Sequence, residues 1–285
     1  MTPESASRSA ARAALWLLWR NPLVLAGLII IIVWVLIALF AAQVAPGNPL
    51  HQNVSDRLNP PDEFYSFGTD ELGRDMFTRV VYGGRITIPA GLAVIVLSSI
   101  IGTLIGAVAG YAGGRWDELL MRLTELFMAF PTIILAMAIT AALGPDLRNA
   151  VVALVIVWWP TYARLIRGLV LDIKSKEYVE GARSIGAPGM YILFRTVLPN
   201  CIAPAIVLAT LDIGNAILTF AGLSFLGLGP DPSSPEWGRM VSIGIDFFDQ
   251  WWMWLYPGLA IAILVMAFNF IGDGLRDLLD PRLRK

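Results

Sequence analysis

Long uncharged runs alternate along the chain with short stretches that hold nearly all of its Arg, Lys, Asp and Glu. A hydrocarbon layer about 30 Å thick takes roughly 20 apolar residues of helix to cross, so runs of that length predict membrane spans. Leu23 to Ala42 is an unbroken apolar run of 20 residues, and Ile86 to Ala112 carries no charge. Leu126 to Pro145, also uncharged, is the expected third span. The fourth, Asn149 to Ala163, is short between Arg148 and Arg164. It extends toward Leu171 if Arg164 and Arg167 turn their heads to the membrane surface. The fifth lies within Thr196 to Pro230, interrupted only by Asp212, and the sixth is Trp251 to Gly272, between Asp249 and Asp273. The pattern predicts an all-α integral membrane protein with six transmembrane helices.

Cation placement orients the bundle. With a cytoplasmic N-terminus, 15 of the cations fall inside. They are Arg8, Arg12 and Arg20 in the tail, then Arg115 and Arg122, then Arg164, Arg167, Lys174, Lys176, Arg183 and Arg195, and finally Arg276, Arg282, Arg284 and Lys285. Six fall outside: Arg57, Arg74, Arg79, Arg85, Arg148 and Arg239. The positive-inside rule therefore puts both termini in the cytoplasm. A cleaved signal peptide is the other reading of the first run, but a signal core is about 7–15 residues long and five more spans follow. The expected layout is a tail over 1–22, a first span over 23–43, an outer segment over 44–85, and a core of five spans over 86–285. Within that core lie an inner loop at 172–200 and an outer loop at 226–250. In the outer segment Leu72, Met76 and Val80 recur every four residues after Asp70, a possible N-cap, and predict a short amphipathic surface helix. Trp251, Trp252, Trp254 and Tyr256 form either an interfacial aromatic belt or ordinary packing. Pro131, Pro160 and Pro204 are places where spans can kink.

Composition narrows the function. The chain is 56% apolar and 15% charged, with mean hydropathy +0.67 and a formal net charge of -1, which suits a bilayer and not nucleic acid. One cysteine, Cys201, and one histidine, His51, make neither a disulfide framework nor a Cys/His metal cage. None of the three lysines, Lys174, Lys176 and Lys285, follows a glycine, so the chain has no phosphate-cradling GxxxxGK[ST] loop and hydrolyses no ATP itself. Ser224 in GLSFLG has two residues, not one, before the closing glycine, which rules out a nucleophile elbow. Passive or driven transport remains. An ion-coupled carrier would keep ionisable relays in its spans, where only Asp212 and Glu125 stand out.

From Lys174 the inner loop reads KSKEYVEGARSIGAPGMYILFRTVLPN, a helix, a turn at Gly186, Pro188 and Gly189, and a second helix. Tyr178, Ala182 and Ile185 share one face of the first helix, which either docks in a groove of another protein or rests on its own bundle. Glu180-Gly181-Ala182, then Gly186, then Leu198-Pro199 resembles the EAA loop of ABC importer permeases. Gly181 stands where that family usually has alanine and Thr196 where isoleucine is common; the glycine loosens the helix by about 0.5–1 kcal/mol. FGTDELGRDMFTRVVYGGRITI at 67–88, GLSFLGLGPDPSSPEWGRM at 222–240 and GDGLRDLLDP at 272–281 are similar to the dipeptide, oligopeptide and nickel branch.

The resemblance implies the type I, MetI-like permease fold in a bacterial inner membrane. It implies a second, related permease, two ATPase subunits that carry ATP and Mg, and an extracytoplasmic solute-binding protein, with no cofactor in this chain. It makes Tyr178, Glu180, Gly181, Ala182, Ile185, Gly186, Leu198 and Pro199 the expected ATPase-coupling residues. A peptide is the expected solute, with nickel, glutathione or another small solute as alternatives. Asp212 and Asn215 are candidate pathway residues, although Asp212 could instead be hydrogen-bonded to Asn215 or Asn269. Ser234-Pro235 predicts a helix start in the outer loop. Ser234, Glu236 and Trp237 there are expected to form either a gate or binding-protein contact, or a structural cap.

Overall fold

The computed structural model of the protein describes residues 21–279. Most of the 1–22 tail, with Arg8, Arg12 and Arg20, and the terminal Arg282, Arg284 and Lys285 lie outside them. Among the described residues there is no strand beyond an isolated bridge between Thr69 and Asp75, and the rest is helix and loop.

The first helix, α1 (Pro22–Leu39), starts where the Asn21 side chain accepts from the Leu23 amide and Pro22 takes the first helical position. The second long helix, α2 (Met76–Ala112), is 37 residues long. At about 1.5 Å per residue it reaches roughly 55 Å, well over a bilayer's apolar thickness. Then come α3 (Gly114–Met128) and α4 (Thr132–Leu143), joined at an 89° bend, and α5 (Leu147–Ile173). The inner loop holds α6 (Glu177–Ser184), followed by Gly189–Tyr191 and a π-helical stretch, Ile192–Val197, that runs into α7 (Leu198–Phe225). The chain ends with α8 (Trp237–Asp246) and α9 (Trp252–Leu279). Among the described residues five helices are long and apolar enough to cross a membrane, and six if the bent pair α3–α4 is one span.

Two expectations about boundaries need correction. No separate amphipathic helix lies before residue 86. Asp75 caps α2, its carboxylate accepting from the amides of Phe77 and Thr78, and the helix then runs through Arg79 and Arg85. Met76 and Val80 are buried inside it. The third span is also not one continuous helix from Leu126. Pro131 lacks an amide proton and pushes Phe130 away from helical backbone, so the chain turns sharply between Met128 and Thr132. Pro160 and Pro204 sit inside α5 and α7, as Pro89 and Pro257 do inside α2 and α9.

The described residues form two compact units: one of those up to Gly91, Pro145–Leu147 and those from Thr210 onward, the other of Leu92–Gly144 and Arg148–Ala209. In the first, α1 packs on α9 through glycine. A Cβ on Gly27 would stand 2.6 Å from the Ala267 carbonyl, and one on Gly274 would stand 2.1 Å from Val24. In the second, Gly102, Gly106 and Gly110 of α2 lie one turn apart against α5. A Cβ there would meet the carbonyls of Trp159, Ala163 and Arg167 at 2.4, 2.3 and 3.0 Å. Small residues at this spacing let two helix backbones approach where lipid offers no hydrophobic drive to bring them together. Arg167 is held by an ion pair within the second unit. Its guanidinium makes a two-pronged bond to Asp117 of α3, at 2.9 and 2.7 Å, while the Lys174 ammonium donates to the Gly110 carbonyl.

Candidate functional site

The coupling residues expected from the sequence gather in the second unit, on and after α6. Val179 is fully buried in an apolar cluster with Ile166, Val170, Ile173, Ile192, Leu193, Val197 and Cys201, and Ala182 and Leu198 pack against it. So Val179 and Ala182, three residues apart, form the face that rests on the chain itself. The predicted face of Tyr178, Ala182 and Ile185 is therefore split, because Ala182 turns inward while Tyr178 and Ile185 remain 51% and 85% exposed. Glu180, Gly181, Arg183 and Pro199 are exposed too.

Gly186 ends α6 in a Schellman closure. With φ at +80° it lets its own amide bond back to Arg183, and the Ala187 amide to Ala182. Glu177 and Glu180 in the first turn and Arg183 in the last suit the helix dipole. Gly181 faces open space, with no atom within 4 Å of where a Cβ would sit.

Beyond the turn, the residues that line the cluster alternate with ones that do not. Ile192, Leu193 and Val197 are buried, whereas Met190, Tyr191 and Phe194 are 67%, 55% and 47% exposed. Sequence reasoning missed these three. Their signal was an apolar run whose period showed two faces, only one of which the bundle needs. The π-helical widening before Pro199 fits a residue with no amide to donate to the preceding turn, and the Asn200 side chain donates to the Thr196 carbonyl four residues back at 2.7 Å.

The outer segment and outer loop meet in the first unit. Asp70 accepts from the amides of Leu72 and Arg74 and pairs with the Arg74 guanidinium at 2.6 Å; Glu71 holds the other edge of Arg74 at 2.7 Å. Arg79, only 1% exposed, donates to the carbonyls of Pro49 and Ser233 at 3.0 and 3.2 Å and reaches Ser234 at 3.4 Å. Its Nε lies 3.4 Å from Asp70. The arginine thus ties both segments to the start of α2.

Glu236, not Ser234, caps α8. Its carboxylate accepts from the Gly238 and Arg239 amides at 2.9 and 2.8 Å and from the Thr87 hydroxyl at 3.1 Å. Burial pushes this carboxyl above its ordinary value, against the lowering effect of the two amides and of the Ser224 and Thr87 hydroxyls. Trp237 donates to the Val80 carbonyl and lies over Gly83, with Trp34 meeting it edge-on at 4.9 Å. Glu236 and Trp237 are both 0% exposed. The expected contact trio is therefore corrected: these two side chains are internal ties, and only Ser234 is partly open. Of the four aromatics that could form a belt or pack, Trp252 and Tyr256 pack, while Trp251 is 43% exposed. Trp252 donates to the Thr69 carbonyl, and Tyr256 stacks on Phe67 at 3.9 Å. Of the pathway candidates, Asp212 is half-buried on α7 and has an interaction partner, while Asn215 is exposed.

Residues 102–285 match the family model described as the inner membrane component of binding-protein-dependent transport systems. Residues 9–61 match that of the N-terminal transmembrane domain of oligopeptide transport permease C. The chain is 41% identical over 281 residues to the probable D,D-dipeptide transport system permease DdpC of Escherichia coli, covering 98% of this chain and 94% of that one. It is 44% identical to the dipeptide transport system permease DppC of Alkalihalophilus pseudofirmus, covering 96% and 90%. It is 41% identical to the glutathione transport system permease GsiD of Escherichia coli, covering 93% and 88%. A chain of the inward-facing MetNI methionine ABC transporter shares the fold at TM-score 0.54 and 22% identity, over 72% of this chain and 98% of that one. The apolar helices, the loop around Glu180 and these matches together place the chain in the family of binding-protein-dependent ABC importer permeases, as an inner-membrane subunit.

Proposed function

We propose that the chain forms half of the passage of a peptide importer, beside a second, related permease. The other half of the complex is a pair of ATPase subunits on the cytoplasmic side, which bind ATP and Mg, and a binding protein that delivers solute from outside. The observation that carries this reading is α6: a short helix pinned to its own unit by Val179, ended at Gly186, and holding out Tyr178, Glu180 and Ile185. A helix seated that firmly moves with what it rests on. Closure of the ATPase pair against its exposed face then becomes displacement of α5 and α7, and the passage opens outward to receive solute. The solute-loaded binding protein stabilises the same outward state.

Peptides are the solute class favoured by the names of the relatives, which transport dipeptides, di- and tripeptides and D,D-dipeptides. Glutathione is the second reading, since one relative of comparable similarity is a glutathione permease. The test uses the assembled importer. Glu180→Lys and Gly186→Leu are expected to lower co-purification of the ATPases and uptake of labelled dialanine by at least about tenfold. Unchanged coupling in both variants would sink the role given to α6. Uptake of glutathione but not of dialanine, in cells whose only importer of this class contains this chain, would favour the second reading.

A further inference from the structure

The loop from Asn59 to Thr69 carries a rigid, exposed aromatic tip that nothing in the chain uses. Phe64 is 90% exposed, the highest value among the exposed large apolar side chains of the described residues. It does not hang on a loose chain. The Asp62 carboxylate accepts from the Phe64 and Tyr65 amides at 2.8 and 2.6 Å, and the Asp62 and Gly68 amides both bond to the Tyr65 carbonyl, at 3.0 and 2.8 Å. Beneath the tip, the Tyr65 hydroxyl donates to Asp56 at 2.8 Å, and the same carboxylate oxygen accepts from Asn53. The loop base is closed by paired bonds between Asn59 and Thr69 and is held to α9 by Trp252. Asp62 and Glu63, both exposed, precede the aromatic ring.

We propose that the Asp62–Tyr65 turn is a docking knob for the solute-binding protein, with Phe64 as its anchor and Asp62 and Glu63 as an acidic rim facing cationic groups on that partner. The inference rests on the importer reading above, which puts this segment outside the membrane. Three features select this occupant. A turn fixed by its own hydrogen bonds loses little freedom on binding, which favours a surface engaged anew in each cycle. An exposed aromatic with two acidic residues beside it in the chain matches a hot spot with a polar rim, the anatomy of a transient contact. A permanent interface with the second permease would instead be broadly apolar. Two adjacent carboxylates also disfavour seating the ring among anionic lipid headgroups.

The test is the ATPase rate of the complete importer in nanodiscs, titrated with its binding protein saturated with a dipeptide. Phe64→Ala is expected to raise the half-saturating concentration by at least about tenfold, with basal and maximal rates unchanged. Phe64→Trp is expected to stay within about threefold of the parent. Glu63→Lys should raise the half-saturating concentration about three- to tenfold at low salt and approach the parent at high salt. An unshifted titration for Phe64→Ala overturns the proposal. So does loss of the second permease on purification of that variant, which would make the permease the occupant, or a shift that follows the anionic lipid content of the nanodisc. If the parent importer is not stimulated by any binding protein, the importer reading itself falls; a stimulated parent with an unshifted Phe64→Ala removes only the knob.

Discussion

Arg79 and Glu236 show how far a charged residue's role can depart from its place in the sequence. Both belong to stretches that read as outer loops, where a charge is expected to face water. Arg79 instead gathers three carbonyl groups and Asp70 inside the first unit. A lysine has no planar fork with which to span such a set. Arg79→Gln is expected to cost about 1–3 kcal/mol by leaving the Pro49, Ser233 and Ser234 carbonyls without their shared donor, and Arg79→Lys somewhat less, read as earlier melting of the purified complex; unaltered melting in both would contradict the clasp. Glu236 gives a pH test. Its carboxyl sits above the ordinary 4.5 because of burial, so the folded state holds the proton more tightly than the unfolded one. Its contribution is full at pH values below 4.5 and is lost as pH rises through the folded value. Amide-exchange protection of α8, corrected for intrinsic rates, should therefore fall between pH 4 and pH 8 by more in the parent than in Glu236→Gln. An equal fall would show that other groups, Glu71 among them, set the dependence. By residue type Ser234 was the better cap, since serine and not glutamate is among the preferred N-cap residues, yet Glu236 caps the helix. The Glu236 cap is also bonded by Thr87, 149 residues away in the chain, a contact no local pattern announces.

Helices were legible where apolar length alone defines them. α1 lies within the first apolar run but ends at Leu39, short of the expected 43, and α7 and α9 fall where uncharged runs predict them. The start of α2 was not legible, because Arg79 and Arg85 look like the end of a loop until the partners of Arg79 are seen. The split between α3 and α4 was announced only by Pro131, and several other prolines in this chain lie inside unbroken helices. Close packing of α2 on α5 yields a firm prediction. In Gly106→Val a side chain enters space where even a Cβ would lie 2.3 Å from the Ala163 carbonyl. The expected loss is about 1–3 kcal/mol, the range of overpacked sites, seen as reduced heat resistance and yield; wild-type stability would mean the helices part without cost. α6 behaves oppositely, since Gly181 meets no neighbour. Gly181→Ala is expected to firm the helix by about 0.5–1 kcal/mol and to leave uptake intact. Gly181→Leu should cut ATPase co-purification if a partner fills that space, and normal co-purification would show that it stays empty.

For the molecule as a whole, hydropathy and charge placement were enough for a multi-spanning membrane protein, and the loop from Lys174 to Asn200 for its family. The exposed apolar residues after Gly186, and the buried ties of the outer loop, depend on contacts that no local pattern encodes. The bend between α3 and α4 has one more consequence, for sidedness. An even number of crossings returns a chain to the side it began on, and an odd number does not. The other five long helices make an odd count, so the location of the C-terminus is decided by whether the 114–143 pair crosses. Its second half, α4, has only 12 residues, about 18 Å of helix against a layer of roughly 30 Å. A phosphatase fused after Lys285 is expected to be silent, and green fluorescent protein at the same place bright, when the pair crosses. Deleting Thr132–Leu143 should reverse both signals, making twelve residues the arbiter of which compartment receives the last helix's end.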